Sequence, residues 1–478
     1  MPNIIEQRPK YDVLPVGQDI IFAVSNANIV ANQLKVKFVA QVHISSGTPP
    51  NQSVNTDLVA TFKTTPNNKG VGMFDFSNVV ENYVKADNMA FDTATYKNNP
   101  ASDLPFPIHL VDKYSRNNNT VRYLAVRFKI EYLGGDPSFP NVVDSASGNS
   151  IDSAAFLLFN GYLKETDILE YGGAANQNFG FDWRDDFLLD SPGQRFLTNA
   201  PFEQFANLED YGTLSFIYPG INDPFDEITG AFLVYFGSDG VAQGSEHINL
   251  TSANGAFNTY DSKANKQILF FGCFPANLRN TSSVFNAAVA STVGMEGGKI
   301  VLYGEISDGV SSSAITDLYT ININCPDGKG FEPIRLCWLN QFGVWDYFTF
   351  NKKSSRSIST KGSTYNQLAG TWNESVYRAD SFKGGKKSFR VNATEKIKMN
   401  TDYVSADYNT TFEELINSPE VYILEGFQTD NSKSILNNYV TPVRLMTSSF
   451  TRKTVANDKL IQYSFEVEKT KTLRTQSV

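Results

Sequence analysis

Nucleophilic catalysis needs a nucleophile, a base and usually an orienting acid. The chain holds three cysteines, Cys273, Cys325 and Cys337, and three widely separated histidines, His43, His109 and His247. No CxxC pair, no G-x-S-x-G elbow and no local Cys–His signature occurs. The odd cysteine count and the lack of zinc-site spacing read as free thiols in a reducing compartment. All three lie in apolar surroundings, so buried thiols are expected. Phosphate binding needs a glycine-rich loop that opens a helix, with a lysine nearby. The stretches "GMEGGKI" and "KGGKKS" hold Gly and Lys but match no such motif, and Gly297-Gly298 reads as a turn before a strand. Paired carboxylates offer glycoside hydrolysis or calcium ligation. The candidates are Asp182, Asp185 and Asp186 in "DWRDDF", and Asp223, Asp226 and Glu227 in "NDPFDEI". Neither stretch follows the EF-hand pattern, and solvated loop acids are the favoured reading. No catalytic, cofactor-binding or metal-ligating residue is therefore expected.

Aromatic side chains are the remaining source of binding chemistry. "RLCWLNQFGVWDYFTFN", residues 335 to 351, places Trp338, Phe342, Trp345, Tyr347, Phe348 and Phe350 around Gly343. A four-residue loop, Asn340-Gln341-Phe342-Gly343, fits a β-hairpin. On the return strand Trp345, Tyr347 and Thr349 share one face, and Val344, Asp346, Phe348 and Phe350 the other. Neither face is wholly polar. This predicts a hairpin packed between layers or subunits, with Trp338 and Trp345 largely buried. The alternative is a ligand surface with both rings open to solvent.

The elements around this stretch read as strands. Aromatics make up 13% of the chain, mostly Phe and Tyr, and charged residues 19%. That mixture, with abundant Asn, Ser and Thr, favours strands and turns. The expected fold is mainly β, with several antiparallel β-sandwich domains and a few short helices. In "LKVKFVAQVHI", Leu34, Val36, Phe38, Ala40, Val42 and Ile44 fall on one face, and His43 joins Lys35, Lys37 and Gln41 on the solvent face. "VRYLAVRFKIEYL" repeats the pattern. A short helix is expected from Ser77, with Val79, Val80, Tyr83 and Val84 on one face. "AFLVYFG", "KQILFFGCF", "KIVLYGEI" and "DLYTININC" read as strands, the last placing Cys325 inward. "GYLKETDILEYGG" and "FEQFANLEDYG" suit short helical turns. "NTTFEELINSP" carries two capping-box options, Thr410 with Glu413 or Thr411 with Glu414, and Pro419 stops the helix. Asn457-Asp458 marks the turn of a closing hairpin.

These patterns suggest an N-terminal β-sandwich over 1–135, a Gly/Pro/Ser break near 134–150 and a central β-rich domain over 150–330. A C-terminal β domain over 331–478 would carry a basic polar loop at 351–390 and a short helix near 410–418. Net charge is −9, unevenly spread. Residues 1–350 hold 22 Lys+Arg and 37 Asp+Glu, and residues 351–478 hold 19 and 13. An acidic body with a basic end can help subunits dock. The excess is too dilute for sequence-specific nucleic-acid binding. No apolar run of membrane-spanning length and no secretion signal is seen, so neither a membrane span nor secretion is expected.

The block "FEPIRLCWLNQFGVWDYFTFNKKSSRSI" resembles one found in uncharacterised virion proteins of tailed bacteriophages of marine bacteria and Bacteroidetes. The match is carried by Pro333, Arg335, Leu336, Trp338, Leu339, Asn340, Gly343, Asp346 and Phe348, with Trp345 beside them. Val344 stands where that family usually has a second glycine. "FKTTPNNKGVGMFDFSNVVENYV", "FKIEYLGG" and "GQRFLTNAP" agree in style. The resemblance implies a structural component of the phage particle, in the tail, neck or baseplate, assembled in the bacterial cytoplasm. Its partners would be other virion proteins and further copies of itself, in a ring or fibre-like arrangement. It implies no catalytic residue and no cofactor. The alternatives are a receptor- or glycan-binding protein of the tail tip, with a host glycan as ligand, and a capsid-associated jelly-roll protein.

Overall fold

The structure is a computed structural model. It describes residues 3–10, 12–90, 107–117, 119–134, 141–144, 149–163, 171–172, 187–189, 191–220, 228–251, 266–307, 311–325, 330–425, 439–453, 461–471 and 473–474. The protein is mainly β, with a few short helices; among the described residues its sheets are antiparallel apart from the pairs Val13–Pro15 with Phe156–Phe159 and Glu203–Ala206 with Tyr319–Ile323. The chain divides into two compact units. One comprises Met1–Pro326, Leu339–Tyr347 and Gly426–Leu436; the other comprises Asp327–Trp338, Phe348–Glu425 and Asn437–Val478.

In the first unit, strands Lys37–Ser45 and Val121–Leu133 form the centre of a sheet, with Phe38 opposite Ile130 and Val42 opposite Val126. A second sheet contains Ile21–Ser25 and Val71–Asp75. Between them lies a core of alternating apolar residues, rich in Phe22, Phe38, Phe74, Phe76, Phe128 and Phe156. The rings of Phe22, Phe74, Phe76, Phe128 and Phe156 pair with centroids 5.5–6.5 Å apart, mostly tilted, the spacing that aromatic quadrupoles favour. Phe38, Ala40, Val42 and Ile44 face this core, while Leu34 lies before the strand and is exposed. The helix at Ser77 is shorter than its apolar pattern, covering Ser77–Val80 only.

His43 departs from expectation. It is fully buried, on a face that also buries Val39, opposite Leu58 and the buried Ala125. The supposed solvent face is covered. Gln52 accepts at its carbonyl from Arg127 and donates to the Ser153 carbonyl, laying a loop beside the sheet.

The same unit holds a six-stranded sheet in which Glu203–Ala206, Tyr319–Ile323, Lys299–Ser307, Gly230–Phe236 and Ala242–Asn249 lie side by side. Residues 203–206, expected as a helical turn, instead form an edge strand parallel to Tyr319–Ile323. Its period of two buries Gln204 and Ala206 and exposes Glu203 and Phe205. Helices Pro275–Thr281 and Ser283–Ala290 follow strand Gln267–Gly272. Pro275 opens the first, and the Ser282 hydroxyl caps the second by accepting from the Phe285 amide at 2.8 Å. Cys273 is buried, but Cys325 is exposed. The strand ends at Ile323, so the alternation that would turn Cys325 inward has already stopped.

The second unit is organised by a sheet that orders Trp345–Phe350, Ile334–Leu339, Val421–Leu424, Val440–Leu445, Ser464–Lys469, Gly385–Asn400 and Ser355–Gln367. Helix Tyr408–Asn417 packs on it through Phe412 and Leu415. Neither capping box forms. The helix starts earlier, behind Asp407, so Thr411 and Glu414 fall inside it and are buried. The stretch 351–390 is not a loop. It contains the whole of strand Ser355–Gln367 and the start of its long partner, Gly385–Asn400. Ser and Thr side chains supply cross-strand contacts there, as in Ser359 with Thr394 at 2.9 Å. The acids at 182–186 and 223–227, the break at 135–140 and 145–148, most of "LKETDILEYGG" and the Asn457-Asp458 turn lie outside the described residues.

Candidate functional site

The aromatic stretch forms the expected hairpin, Ile334–Leu339 and Trp345–Phe350, and every residue from 334 to 350 is buried. Its turn is set by two side-chain choices. The Asn340 carboxamide oxygen accepts from the amides of Phe342 at 3.0 Å and Val344 at 3.3 Å, while its nitrogen donates to the Leu197 carbonyl at 2.9 Å. Gly343 sits at φ +71°, the left-handed residue that ends such a loop. A Cβ on Gly343 would lie 1.9 Å from the Asn160 carbonyl oxygen. Hydrogen bonds Asn340 N–H to Val344 O and Gly343 N–H to Asn340 O close the loop at 2.8 and 3.0 Å. Val344, in place of a second glycine, is fully buried.

Residues 339–347 belong to the first unit and are anchored in it by polar contacts. The Tyr347 hydroxyl lies 2.8 Å from His109 Nδ1 and 3.0 Å from Thr213 Oγ1. The Trp345 indole donates to the Asp87 carbonyl at 3.1 Å, and its ring meets the His109 ring edge-on. Gln341 accepts from the Tyr162 amide at its carbonyl and from Asn199 at its side chain. Thr198 donates to Asp346 Oδ1 at 2.7 Å. Burial raises the Asp346 carboxyl to about 6, and hydrogen bonds from Thr198 and Asn340 pull against that rise. Its Oδ2 has no partner among the described residues.

Residues 334–338 and 348–350 belong to the second unit. Leu336, Trp338, Phe348 and Phe350 join its core, where the Phe348 and Phe412 rings lie 5.0 Å apart. Arg335 donates to Thr349 Oγ1 at 2.8 Å. Burial pushes the Cys337 thiol well up, which disfavours the reactive thiolate. Leu339, at the end of its strand, is also buried. Thus Trp338 and Trp345 are both closed to solvent, and the stretch presents no ring for a sugar to stack on.

The three histidines and the buried acids can be placed only among the described residues. His247 Nδ1 lies 2.9 Å from both oxygens of Glu305, which is buried, with no nucleophile assembled beside them among the described residues. Burial lowers the pKa of His43, keeping it neutral, and neither ring nitrogen finds a partner among the described residues. No cluster of three metal-ligating side chains occurs among the described residues.

The surface that reading the sequence missed lies on the paired strands Ser355–Gln367 and Gly385–Asn400. Near its base the ribbon gains further neighbours, as Ser464–Lys469 pairs with residues 396–400 and Leu473–Arg474 with 392–393. Among the described residues, it has two strands from the Gly362–Val391 pair outward. Its end, residues 368–384, is folded. Thr371 Oγ1 donates to the Val376 carbonyl and accepts from the Arg378 amide, and the Trp372 indole donates to the Ala369 carbonyl. Gly370, at φ +81°, leaves no room for a Cβ against Tyr377. This ordered tip turns Leu368, Trp372, Val376, Tyr377 and Phe382 outward, each 59–74% exposed. Around it, Lys386, Lys387 and Arg390 make no ion pair among the described residues, whereas Arg378 pairs with Glu374 and Lys383 with Asp380. The sequence signal was five large apolar residues scattered through a polar, lysine-rich stretch.

No family model matches the chain, and no curated protein matches it. Among solved structures it is similar to E. coli alpha-2-macroglobulin in its native conformation, at 9% identity and a TM-score of 0.16. That likeness covers 83% of this chain and only 22% of the other, and it is too slight to inform fold or activity.

Proposed function

We propose that the chain is a non-enzymatic structural component of a tailed bacteriophage particle, in the tail, neck or baseplate, acting through subunit–subunit contacts. The observation that carries this reading is the ribbon with its apolar tip. Large apolar side chains shown together to water mark an interaction surface. A two-stranded ribbon is also marginal in water by itself and gains from a neighbour. Among the described strands, Ser355–Gln367 lies at the edge of its sheet, where backbone groups can take a further strand. The resemblance of residues 331–358 to phage virion proteins supplies the biological setting.

Trp372 and Tyr377 favour a second reading, a glycan-binding tail-tip protein, since both rings are exposed and 5.8 Å apart. Their T-shaped arrangement offers no flat shared platform, which is why assembly is preferred. Quantitative mass spectrometry of purified, salt-washed particles tests the proposal. The chain should be retained in a fixed ratio to the other particle proteins. Its presence in the lysate but loss from washed particles would sink the reading. Glycan-array binding that disappears with Trp372→Ala would favour the second.

A further inference from the structure

We infer that the ribbon tip docks onto a second copy of this chain, at the exposed face beside its edge strand Glu203–Ala206. This rests on the assembly reading above and names the contact. The acceptor carries the complementary chemistry. Phe205 and Leu318 are exposed apolar residues on the paired strands 203–206 and 319–323 and their approach, with Phe202 at the corner. Phe202 packs edge-on against Tyr319 with centroids 5.0 Å apart. Exposed Asp317 precedes Leu318, and exposed Glu209 follows the edge strand. The strand is terminal in its sheet among the described residues.

Charge selects the partner. Glu209 and Asp317, both exposed, adjoin the acceptor strands, whereas residues 355–400 contain nine basic and three acidic residues. Both halves of the complementarity therefore reside in one chain. An apolar tip rimmed by Lys386, Lys387 and Arg390 meets an apolar patch adjoined by carboxylates. The two surfaces differ, so the contact is heterologous. It propagates head to tail and closes only as a ring, or runs on as a filament.

The test is self-association of the full chain, followed by sedimentation velocity across a concentration series. Wild type should form species larger than a dimer. Phe382→Ser should weaken association about 30-fold, the scale of a hot-spot truncation. Its side chain is exposed, so the fold should survive. The double reversals Lys386→Glu/Lys387→Glu and Glu209→Lys/Asp317→Lys should each weaken association about tenfold at low salt. Mixing these two double variants should restore assembly, because each supplies the charge the other now needs. Wild type that stays monomeric throughout, or reversals that assemble unchanged, would overturn the inference. Either result leaves the structural role standing if washed particles retain the chain; loss from the particles would end that role separately.

Discussion

Gly343→Ala probes the turn that fixes the buried hairpin. Two costs arise at that position. The backbone sits at φ +71°, where a residue with a Cβ is disfavoured by about 1–2 kcal/mol. The new methyl would also lie 1.9 Å from the Asn160 carbonyl oxygen, a backbone atom that cannot swing aside. Forcing the chain apart there adds about 1–3 kcal/mol. Alanine also restricts the unfolded chain, returning about 0.4–1 kcal/mol. The expected net loss is about 2–4 kcal/mol, a large part of a typical stability of about 5–15 kcal/mol. Gly47→Ala is the matched control. Gly47 has φ +82° but nothing within 4 Å of its Cβ position, so it carries only the dihedral cost. It should lose about 1 kcal/mol or less. Both positions lie in the first unit, so denaturant unfolding followed by a probe of that unit compares them directly. Equal losses for the two variants would refute the close approach of the turn to Asn160.

Three further outcomes follow from the interior. Asp346 has its folded-state pKa raised from 3.8 to about 6, so the native state holds the proton more tightly than the unfolded chain. Its ionisation should cost about 3 kcal/mol of stability as pH rises from about 4 to above 6. Asp346→Asn should remove that slope, as read by urea midpoints across the range; an unchanged slope would contradict the assignment. His43 works in the opposite sense, because its folded pKa is lowered and stability falls as pH drops below about 6.5. His43→Leu should flatten that limb and cost little at neutral pH, since it replaces a buried ring with no hydrogen-bond partner among the described residues by an apolar side chain; a steeper acid limb would count against it. Phe412→Ala, at the centre of the second unit's aromatic core, should cost about 3–5 kcal/mol in thermal or denaturant unfolding of that unit. A loss below 1 kcal/mol, roughly that of a surface change, would contradict the packing.

Much of the fold was legible where alternation is clean. Val121–Leu133 and the Phe38, Ala40, Val42, Ile44 face announce themselves by period two, and Asn340 with Gly343 by turn chemistry. His43 was misjudged because alternation shows which residues face one core, not what covers the other side. Asp57, Arg127 and Asp152 all act electrostatically on its ring, although none of them flanks it in sequence. Pro275 and Ser282 are helix-start signals that the apolar run before them masked as a single strand. The Thr411–Glu414 spacing matched a cap, yet Tyr408 had already entered the helix because its ring packs on Phe412 and Phe348. The tip residues Trp372, Tyr377 and Phe382 escaped notice for a different reason. Their neighbours are polar and glycine-rich, and only the pairing of distant strands gathers them into one surface.

If this chain works by assembly in a phage particle through its ribbon, as proposed, a cryo-electron microscopy reconstruction of that particle will show it. The account predicts repeated copies of the chain, with residues 368–384 of each buried against the neighbouring subunit. Copies in which Trp372, Tyr377 and Phe382 all remain open to solvent, or a particle without the chain, would contradict it.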